Sequence, residues 1–131
     1  MSSLRIPVRW ADLDPLGHVN TAVFLTYLEE GRDSWLLEVL GDTFSPDQYV
    51  VARVEINYRH EIPAGTRYVH AHHECVGVGT SSITTEERLD DGNGTVFAEA
   101  QVVLVLWDRE SRKPRPAADA ERVALQGLAP I

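Results

Sequence analysis

The sequence has almost no cysteine and almost no lysine. Cys75 is the single cysteine among 131 residues, so an intrachain disulfide framework is excluded. Of the 12 basic residues only Lys113 is a lysine, so any anion site must be built mainly from arginine, which suits bidentate recognition of phosphate. No basic segment followed by an apolar one opens the sequence. Together these observations favour a reducing cytoplasm.

Basic charge and long apolar runs are also scarce. The chain carries 20 acidic and 12 basic residues, a formal net charge of -8, which repels nucleic acid and anionic membrane surfaces. No stretch of about 18 consecutive apolar residues occurs, so no transmembrane helix is expected. With 44% hydrophobic residues the chain has enough apolar side chains for one core. We therefore expect a soluble single domain over residues 1–131, with neither nucleic acid nor membrane as partner.

One long helix is predicted near the start of the chain. The segment "LRIPVRWADL" alternates apolar and polar residues as a strand does, and apolar residues then follow helical spacing from Thr21 to about Leu40. Gly41 is a suitable C-terminal stop. Gly31 inside the helix costs about 1 kcal/mol relative to alanine, which indicates a close approach by a strand. The charged residues of this helix are expected to face water: Glu29, Glu30, Arg32, Asp33 and Glu38.

Strand patterns dominate the rest of the chain. Four alternating segments cover residues 49–62, 66–79, 80–89 and 95–107, and "DDGNG" supplies a hairpin turn before the last of them. Since no helix separates these segments, an antiparallel sheet with the long helix against its concave face is predicted, an α+β architecture. Residues 108–131 are more polar and are expected to form a surface tail, with a short helix from about Ala117 to Leu125.

The loop "DLDPLGHVN" that precedes the helix combines turn chemistry with groups that could react. If Asn20 is the N-cap and binds the amide of Ala22 or Val23, the Thr21 amide is left free at the positive end of the helix. Such an amide can stabilise a carbonyl oxygen that becomes an alkoxide. Asp14 lies on the loop, where its carboxylate could attack a carbonyl carbon or deprotonate a water. A carboxylate and an amide together form a minimal acyl-transfer site.

The substrate class follows from what this site lacks. The chain has no G-x-S-x-G nucleophile elbow and no evident Cys-His pair. A thiol, with a pKa of about 8.5, leaves with little help from an acid, so a thioester suits the site best.

Asp12 is interpreted as a solvated charge at a strand end. On one strand face "VHAHHEC" presents His70, His72 and Glu74, but no further ligands converge on them in a motif such as H-E-x-x-H, so neither a metal nor a cofactor is expected.

Residues 10–36, "WADLDPLGHVNTAVFLTYLEEGRDSWL", resemble the opening of the hotdog-fold acyl-CoA thioesterases of the 4-hydroxybenzoyl-CoA thioesterase superfamily. In that family Asp-x-x-x-His-Val-Asn or Asp-Pro-x-Gly precedes the central helix. The resemblance implies a five-stranded antiparallel sheet wrapped around one long central helix. By position it also implies that Asp14 is the catalytic carboxylate, that the Thr21 amide polarises the thioester carbonyl, and that His18 is the histidine of the motif. Plant acyl-carrier-protein thioesterases have an asparagine where this chain has Leu16, which favours CoA as the carrier.

The resulting hypothesis is an acyl-CoA thioesterase in which Asp14 acts as nucleophile or general base. His18 is expected to orient Asp14 or the substrate, and Asn20 to serve as cap or substrate ligand. Phe24 and Tyr27 are expected to contribute apolar wall for the acyl group. The resemblance implies subunits joined sheet to sheet with the site between them, so a homodimer or homotetramer is expected, paired through residues 49–62 and 96–107. Candidates for binding the CoA phosphates are surface arginines: Arg59, Arg88, Arg109, Arg112 and Arg115.

Three alternatives remain at this point. A hotdog hydratase or dehydratase has proline three and histidine five residues after its aspartate; counted from Asp12, Pro15 fits, but His18 stands one position too late. A non-enzymatic acyl-CoA binding module would bind the same ligand without releasing thiol. Another hotdog subclass uses a glutamate within the helix as the base, for which Glu29 and Glu30 are the candidates.

Overall fold

The computed structural model describes residues 2–41 and 44–127. One long helix follows the first strand, and a short helix lies at the end of the described chain. Single-turn 3-10 helices lie at Trp10–Asp12 and Pro46–Gln48. The strands and helices are β1 (Ser2–Pro7), α1 (Thr21–Leu40), β2 (Tyr49–Tyr58), β3 (Tyr68–Val78), β4 (Ser82–Asp90), β5 (Val96–Asp108), β6 (Lys113–Pro114) and α2 (Asp119–Gln126).

The strands form one antiparallel sheet in the order β1-β3-β4-β5-β2, with the two-residue β6 paired to the end of β5. This arrangement confirms the predicted α+β architecture of five main strands around a long helix. One detail of the expectation was wrong. The segment 96–107 does not offer a free edge, because β5 is hydrogen-bonded to β4 on one side and to β2 on the other. The strands at the two ends of the sheet are β1 and β2.

Helix α1 spans the predicted residues and packs against the sheet at Gly31. A Cβ atom placed on Gly31 would lie 2.4 Å from Cε1 of His73 and 2.8 Å from Cβ of Ala71, both on β3. The predicted close approach of a strand is therefore confirmed. Around this contact, the inward side chains of β3, β4 and β5 alternate with outward ones and form the core with the buried face of α1. Gly41 ends the helix with a φ of 82°.

A buried ion pair connects α1 to β4. The Arg32 guanidinium donates two 2.9 Å hydrogen bonds to the Glu87 carboxylate, and Thr85 donates a third to the same group. Arg32 is only 3% exposed, so the expectation that it faces water was wrong. The reason is geometric: Arg32 follows Gly31 on the helix surface that meets the sheet, and the inward-facing Glu87 neutralises its charge there.

The end of the chain is more than a surface tail. The predicted short helix is present as α2, and Leu125 on it is fully buried against the core. Arg115 and Glu121 form a bidentate ion pair that ties the start of α2 to the preceding segment. Residues 128–131 of the predicted tail lie outside the described residues. Over the described ranges, neither helix has the length and apolar character needed to cross a membrane.

Candidate active site

A tight turn shapes the loop between β1 and α1. The Gly17 amide donates to the Asp14 carbonyl at 3.2 Å, and the Asp14 amide donates to the His18 carbonyl at 2.9 Å. Pro15 supplies the fixed φ that the second turn position favours, and Gly17 adopts the positive φ of 83° that ends the turn. The loop is also attached to the segment after β2, because the Val19 amide donates to Ile62 O at 2.9 Å. Asp14 and His18 are therefore held on a short, well-bonded hairpin.

The start of α1 has the predicted cap. The Asn20 side chain accepts a 2.9 Å hydrogen bond from the Ala22 amide, and the Val23 amide donates to the Asn20 carbonyl. The Thr21 amide is the first N–H of the helix, and within residues 2–41 and 44–127 it has no hydrogen-bond acceptor. A free N–H at the positive end of a helix dipole is the donor that a developing oxyanion requires.

Asp14 and His18 are brought together by the turn. Oδ1 of Asp14 accepts the Leu16 amide at 2.9 Å, which fixes the carboxylate in an Asx turn. Oδ2 of Asp14 lies 3.4 Å from Nδ1 of His18, and that nitrogen is also 3.1 Å from the Val19 carbonyl oxygen. Because both neighbours of Nδ1 are acceptors, the neutral imidazole carries its proton on Nδ1. The second ring nitrogen is then unprotonated.

A pocket of about 300 Å³ opens beside this loop. It brings together four of the residues predicted from sequence: His18, Thr21, Phe24 and Arg59. Two further predicted residues, Asp14 and Asn20, lie on the adjoining loop but do not line the pocket. The other lining residues were not anticipated: Val19, Tyr58, His60 and Glu61. The last three belong to the end of β2 and the residues just after it, and their sequence pattern is that of an ordinary strand end, so no local signal identifies them. Phe24 and Tyr58 meet edge to face with ring centroids 5.3 Å apart and form the apolar wall of the pocket.

Tyr27 and Asp12 do not have the expected positions. Tyr27 is fully buried and is absent from the residues that line this pocket, so its expected part in the acyl-facing wall is not supported. Its hydroxyl donates a 2.6 Å hydrogen bond to Oδ2 of Asp12. Asp12 is 7% exposed, so its interpretation as a solvated charge was wrong. Burial disfavours the Asp12 carboxylate, but hydrogen bonds from Tyr27 and from the Arg9 amide and guanidinium outweigh burial and lower the pKa of Asp12.

Most of the candidate arginines are engaged elsewhere. Arg88 contacts Asp90, Arg109 contacts Asp47, and Arg115 contacts Glu121, each through charge-assisted hydrogen bonds. Arg112 is in the β5–β6 turn with a φ of 56°. Of the five candidates, Arg59 alone lines the pocket beside the loop in the described structure, and it lies 3.3 Å from Glu99 with about half of each side chain exposed. Arg59 can therefore exchange Glu99 for a phosphate at little cost.

The histidine-rich strand does not form a metal cluster in the described ranges. His70 and His72 lie on the outer face of β3 while His73 points into the core, as the alternation predicted. His72 Nε2 lies 2.9 Å from Oδ2 of Asp90 on the neighbouring strand. No group of three or more histidine, cysteine or acidic side chains within residues 2–41 and 44–127 is arranged to hold a metal ion.

Comparison with known proteins places the chain in a family. A model described as the thioesterase-like superfamily matches residues 8–125. A search of curated proteins returns no match. Among solved structures, a thioesterase from Thermus thermophilus in complex with coenzyme A and zinc is 36% identical, with a TM-score of 0.84 over 98% of this chain and 96% of that one.

Two further solved structures have the same fold. One, described as a predicted thioesterase from Bacillus stearothermophilus, is 25% identical with a TM-score of 0.85 over 95% of this chain and 93% of that one. The other is a 1,4-dihydroxy-2-naphthoyl-CoA thioesterase from Synechocystis, similar in fold at 18% identity, with a TM-score of 0.80 over 96% of each chain. The family match, the sheet order and the long helix inside the sheet agree: the chain belongs to the thioesterase-like superfamily and has the hotdog fold.

Proposed function

We propose that this protein is an acyl-CoA thioesterase that hydrolyses an acyl-CoA to the free acid and CoA, with Asp14 as the catalytic carboxylate. The observation that carries the proposal is that His18 and the helix N-terminal residue Thr21 line one pocket, and that the Asp14 carboxylate lies 3.4 Å from His18 behind that lining. Membership of a thioesterase family supports the same reaction class.

The reaction needs few groups. The Thr21 amide donates a hydrogen bond to the carbonyl oxygen as negative charge develops there. The Asp14 carboxylate either removes a proton from the attacking water or attacks the carbonyl carbon itself. If Asp14 acts as a base, water adds to the carbonyl carbon, the C–S bond breaks, and the leaving thiolate takes up the proton that Asp14 removed. If Asp14 acts as a nucleophile, an anhydride between Asp14 and the acyl group forms as the thiolate leaves, and water then hydrolyses this anhydride, which releases the acid, restores the carboxylate and supplies the proton for the thiolate. His18 Nδ1 donates to the Val19 carbonyl oxygen, and it lies 3.4 Å from Oδ2 of Asp14, close enough to help orient the carboxylate when substrate binds.

The pocket offers one contact for the acyl group of the substrate and another for its CoA part. Phe24 and Tyr58 offer an apolar surface for the acyl group. Arg59 offers a guanidinium for a CoA phosphate at the exposed side of the pocket. Such a local cation is needed because the chain has a net charge of -8 and would otherwise repel a polyanion. The Thermus thermophilus relative was solved with CoA, which supports CoA as the carrier here. We also retain the cytoplasm as the proposed location.

The active unit in this proposal is a homodimer or homotetramer joined through β2. This strand is at the end of the sheet, and three of its side chains on the concave face are exposed: Val51, Val54 and Tyr58 are 44%, 38% and 47% exposed. An exposed, apolar edge strand pairs with another strand unless it is blocked. Because Tyr58 and Arg59 also line the pocket, a second copy seated on β2 would complete the wall of the site.

A thiol-release screen tests the proposed activity. Short, long, branched and aromatic acyl-CoAs are supplied, and free CoA is measured together with water addition to crotonyl-CoA. The proposal expects thiol release from at least one acyl class. Binding without thiol release would favour an acyl-CoA binding module, and hydration of crotonyl-CoA without thiol release would favour a hydratase; either result would overturn the proposal.

A further inference from the structure

Asp12 connects both ends of the candidate active-site loop. Its carbonyl oxygen accepts the amide of Asn20 at 2.9 Å, and Asn20 is the N-cap residue directly before the Thr21 amide. Asp12 also precedes Asp14 by two residues, at the point where the loop hairpin begins. The placement of Asp12 therefore sets the positions of both the carboxylate and the oxyanion donor.

The Asp12 carboxylate is fixed from three directions. Its Oδ2 accepts the Arg9 amide at 2.9 Å, the Arg9 Nε at 3.2 Å and the Tyr27 hydroxyl at 2.6 Å. The Tyr27 bond is the one that crosses to the helix, because Arg9 lies only three residues before Asp12. Tyr27 is six residues after Thr21, about 9 Å along the axis of α1. The bond therefore joins the loop to a rigid point deep in the helix.

We propose that Asp12 and Tyr27 are a positioning pair, whose hydrogen bond holds the Asp14 loop at a fixed distance from the N-terminus of α1. This inference rests on the proposed thioesterase function for its catalytic consequence. A hydrogen bond that only stabilised the fold would need no connection to the loop. This bond ends on Asp12, whose carbonyl oxygen also accepts the Asn20 amide at the other end of the loop. Displacing a reacting group by about 1 Å can cost roughly 10²-fold in rate, so removing the bond should affect turnover more than substrate binding.

The chain contains a matched control. Tyr49 also donates its hydroxyl to an aspartate, Asp33, and this bond also joins α1 to a neighbouring element, but towards the C-terminal half of the helix. Tyr27→Phe and Tyr49→Phe each remove one hydroxyl that donates to an aspartate and keep the ring that packs. Only Tyr27→Phe removes the bond to the active-site loop.

The experiment measures kcat and KM for thiol release, thermal stability, and amide hydrogen exchange at Asn20 and Asp14. For Tyr27→Phe we expect kcat to fall about 10- to 100-fold with KM within about threefold. The Asn20 amide should exchange about 10-fold faster, the scale of losing one hydrogen bond. Asp12→Asn should behave in the same direction, and the two changes should be non-additive. Tyr49→Phe should lose stability without change in kcat or in exchange at Asn20.

Unchanged exchange at Asn20 in both Tyr27→Phe and Asp12→Asn would overturn the proposal, as would an equal loss of kcat in Tyr49→Phe. If Tyr27→Phe does not fold, Asp12→Asn alone decides between these outcomes. Asp14→Asn is assayed beside them. Full turnover in Asp14→Asn would reject the proposed function, whereas an inactive Asp14→Asn with a fully active Tyr27→Phe would reject only the positioning pair. The exchange rates of the Asn20 and Asp14 amides report on the position of the loop even if the protein releases no thiol.

Discussion

Gly31 of α1 and His73 of β3 lie so close that a Cβ atom on Gly31 would be 2.4 Å from Cε1 of His73. The imidazole cannot move away easily, because it is 1% exposed and its Nε2 is 2.9 Å from the Leu28 carbonyl oxygen, to which it donates. The Cβ of Ala71, 2.8 Å from the same point, has no rotatable bond with which to yield. Glycine at this position is therefore what lets the helix reach the sheet.

Gly31→Ala should destabilise the fold despite the higher helix propensity of alanine. Alanine gains about 1 kcal/mol in a free helix, but overpacking of a rigid core costs about 1–3 kcal/mol, and here two contacts are violated. We expect a net loss of about 1–2 kcal/mol in the free energy of unfolding, measured by urea denaturation. Gly65→Ala is the control, because a Cβ atom at Gly65 meets nothing within 4 Å. Equal stability of Gly31→Ala and Gly65→Ala would contradict the contact.

The buried imidazole of His73 should make the stability depend on pH. Burial, opposed by the nearby Glu87 carboxylate, lowers the pKa of His73 below its ordinary value of 6.5. The unfolded chain then binds a proton that the folded chain does not, so stability falls as the pH is lowered from about 6.5 towards the folded pKa. Urea denaturation at pH 7.5, 6.5 and 5.5 should show this slope in the wild type. In His73→Asn the slope should be smaller over the same interval; an unchanged slope would assign it to other groups.

A charge on β2 should separate the subunits. In solution we expect a species of at least twice the 14.6 kDa chain mass. Val54→Glu places a carboxylate on the exposed concave face of β2, where it costs the isolated chain little but would be buried in a dimer. Light scattering should then report the monomer, with loss of thiol release. Val123→Glu, at a residue 71% exposed on α2, should leave the mass unchanged. A monomeric, fully active wild type would contradict the shared site.

His18 should contribute to turnover through its contact with Asp14. His18→Ala removes the Nδ1 donor that lies 3.4 Å from Oδ2 of Asp14. We expect kcat/KM to fall by an amount equivalent to about 1–3 kcal/mol of transition-state stabilisation. His70→Ala is the control, since His70 is half-buried on the outer face of β3. If His18→Ala lowers the melting temperature while its kinetics match those of His70→Ala, His18 has a structural role only.

Local chemistry made part of this structure predictable. Three features were predictable because residues with strong local preferences set them: the bounds of α1, the cap at Asn20, and the turn at Pro15 and Gly17. The structure contains all three features. The antiparallel sheet followed from the absence of helices between the later strands, and the close approach at Gly31 followed from the cost of a helical glycine.

Long-range partners could not be predicted in the same way. Asp12 looks like any acidic residue at a strand end, and only the Tyr27 hydroxyl, fifteen positions away, shows that it is buried. Arg32 fits a solvated helix face until Glu87, on the fourth strand, is placed opposite it. Strand alternation also does not say which strand is last in the sheet, so the sequence wrongly predicts an edge at β5. Charged residues become buried in pairs, and the pair is visible only when the chain is folded.

The most direct test of the account is the turnover of Asp14→Asn. Asparagine retains Oδ1 and can still accept the Leu16 amide, so the turn is preserved while the base or nucleophile is removed. The matched control is Asp108→Asn, because Asp108 forms the same kind of turn with the Glu110 amide at 2.9 Å, away from the pocket. With the acyl-CoA that the wild type hydrolyses fastest, we predict a fall in kcat of roughly 10²-fold or more for Asp14→Asn, with KM little changed, and wild-type kcat for Asp108→Asn. Near-normal kcat in Asp14→Asn would contradict the account.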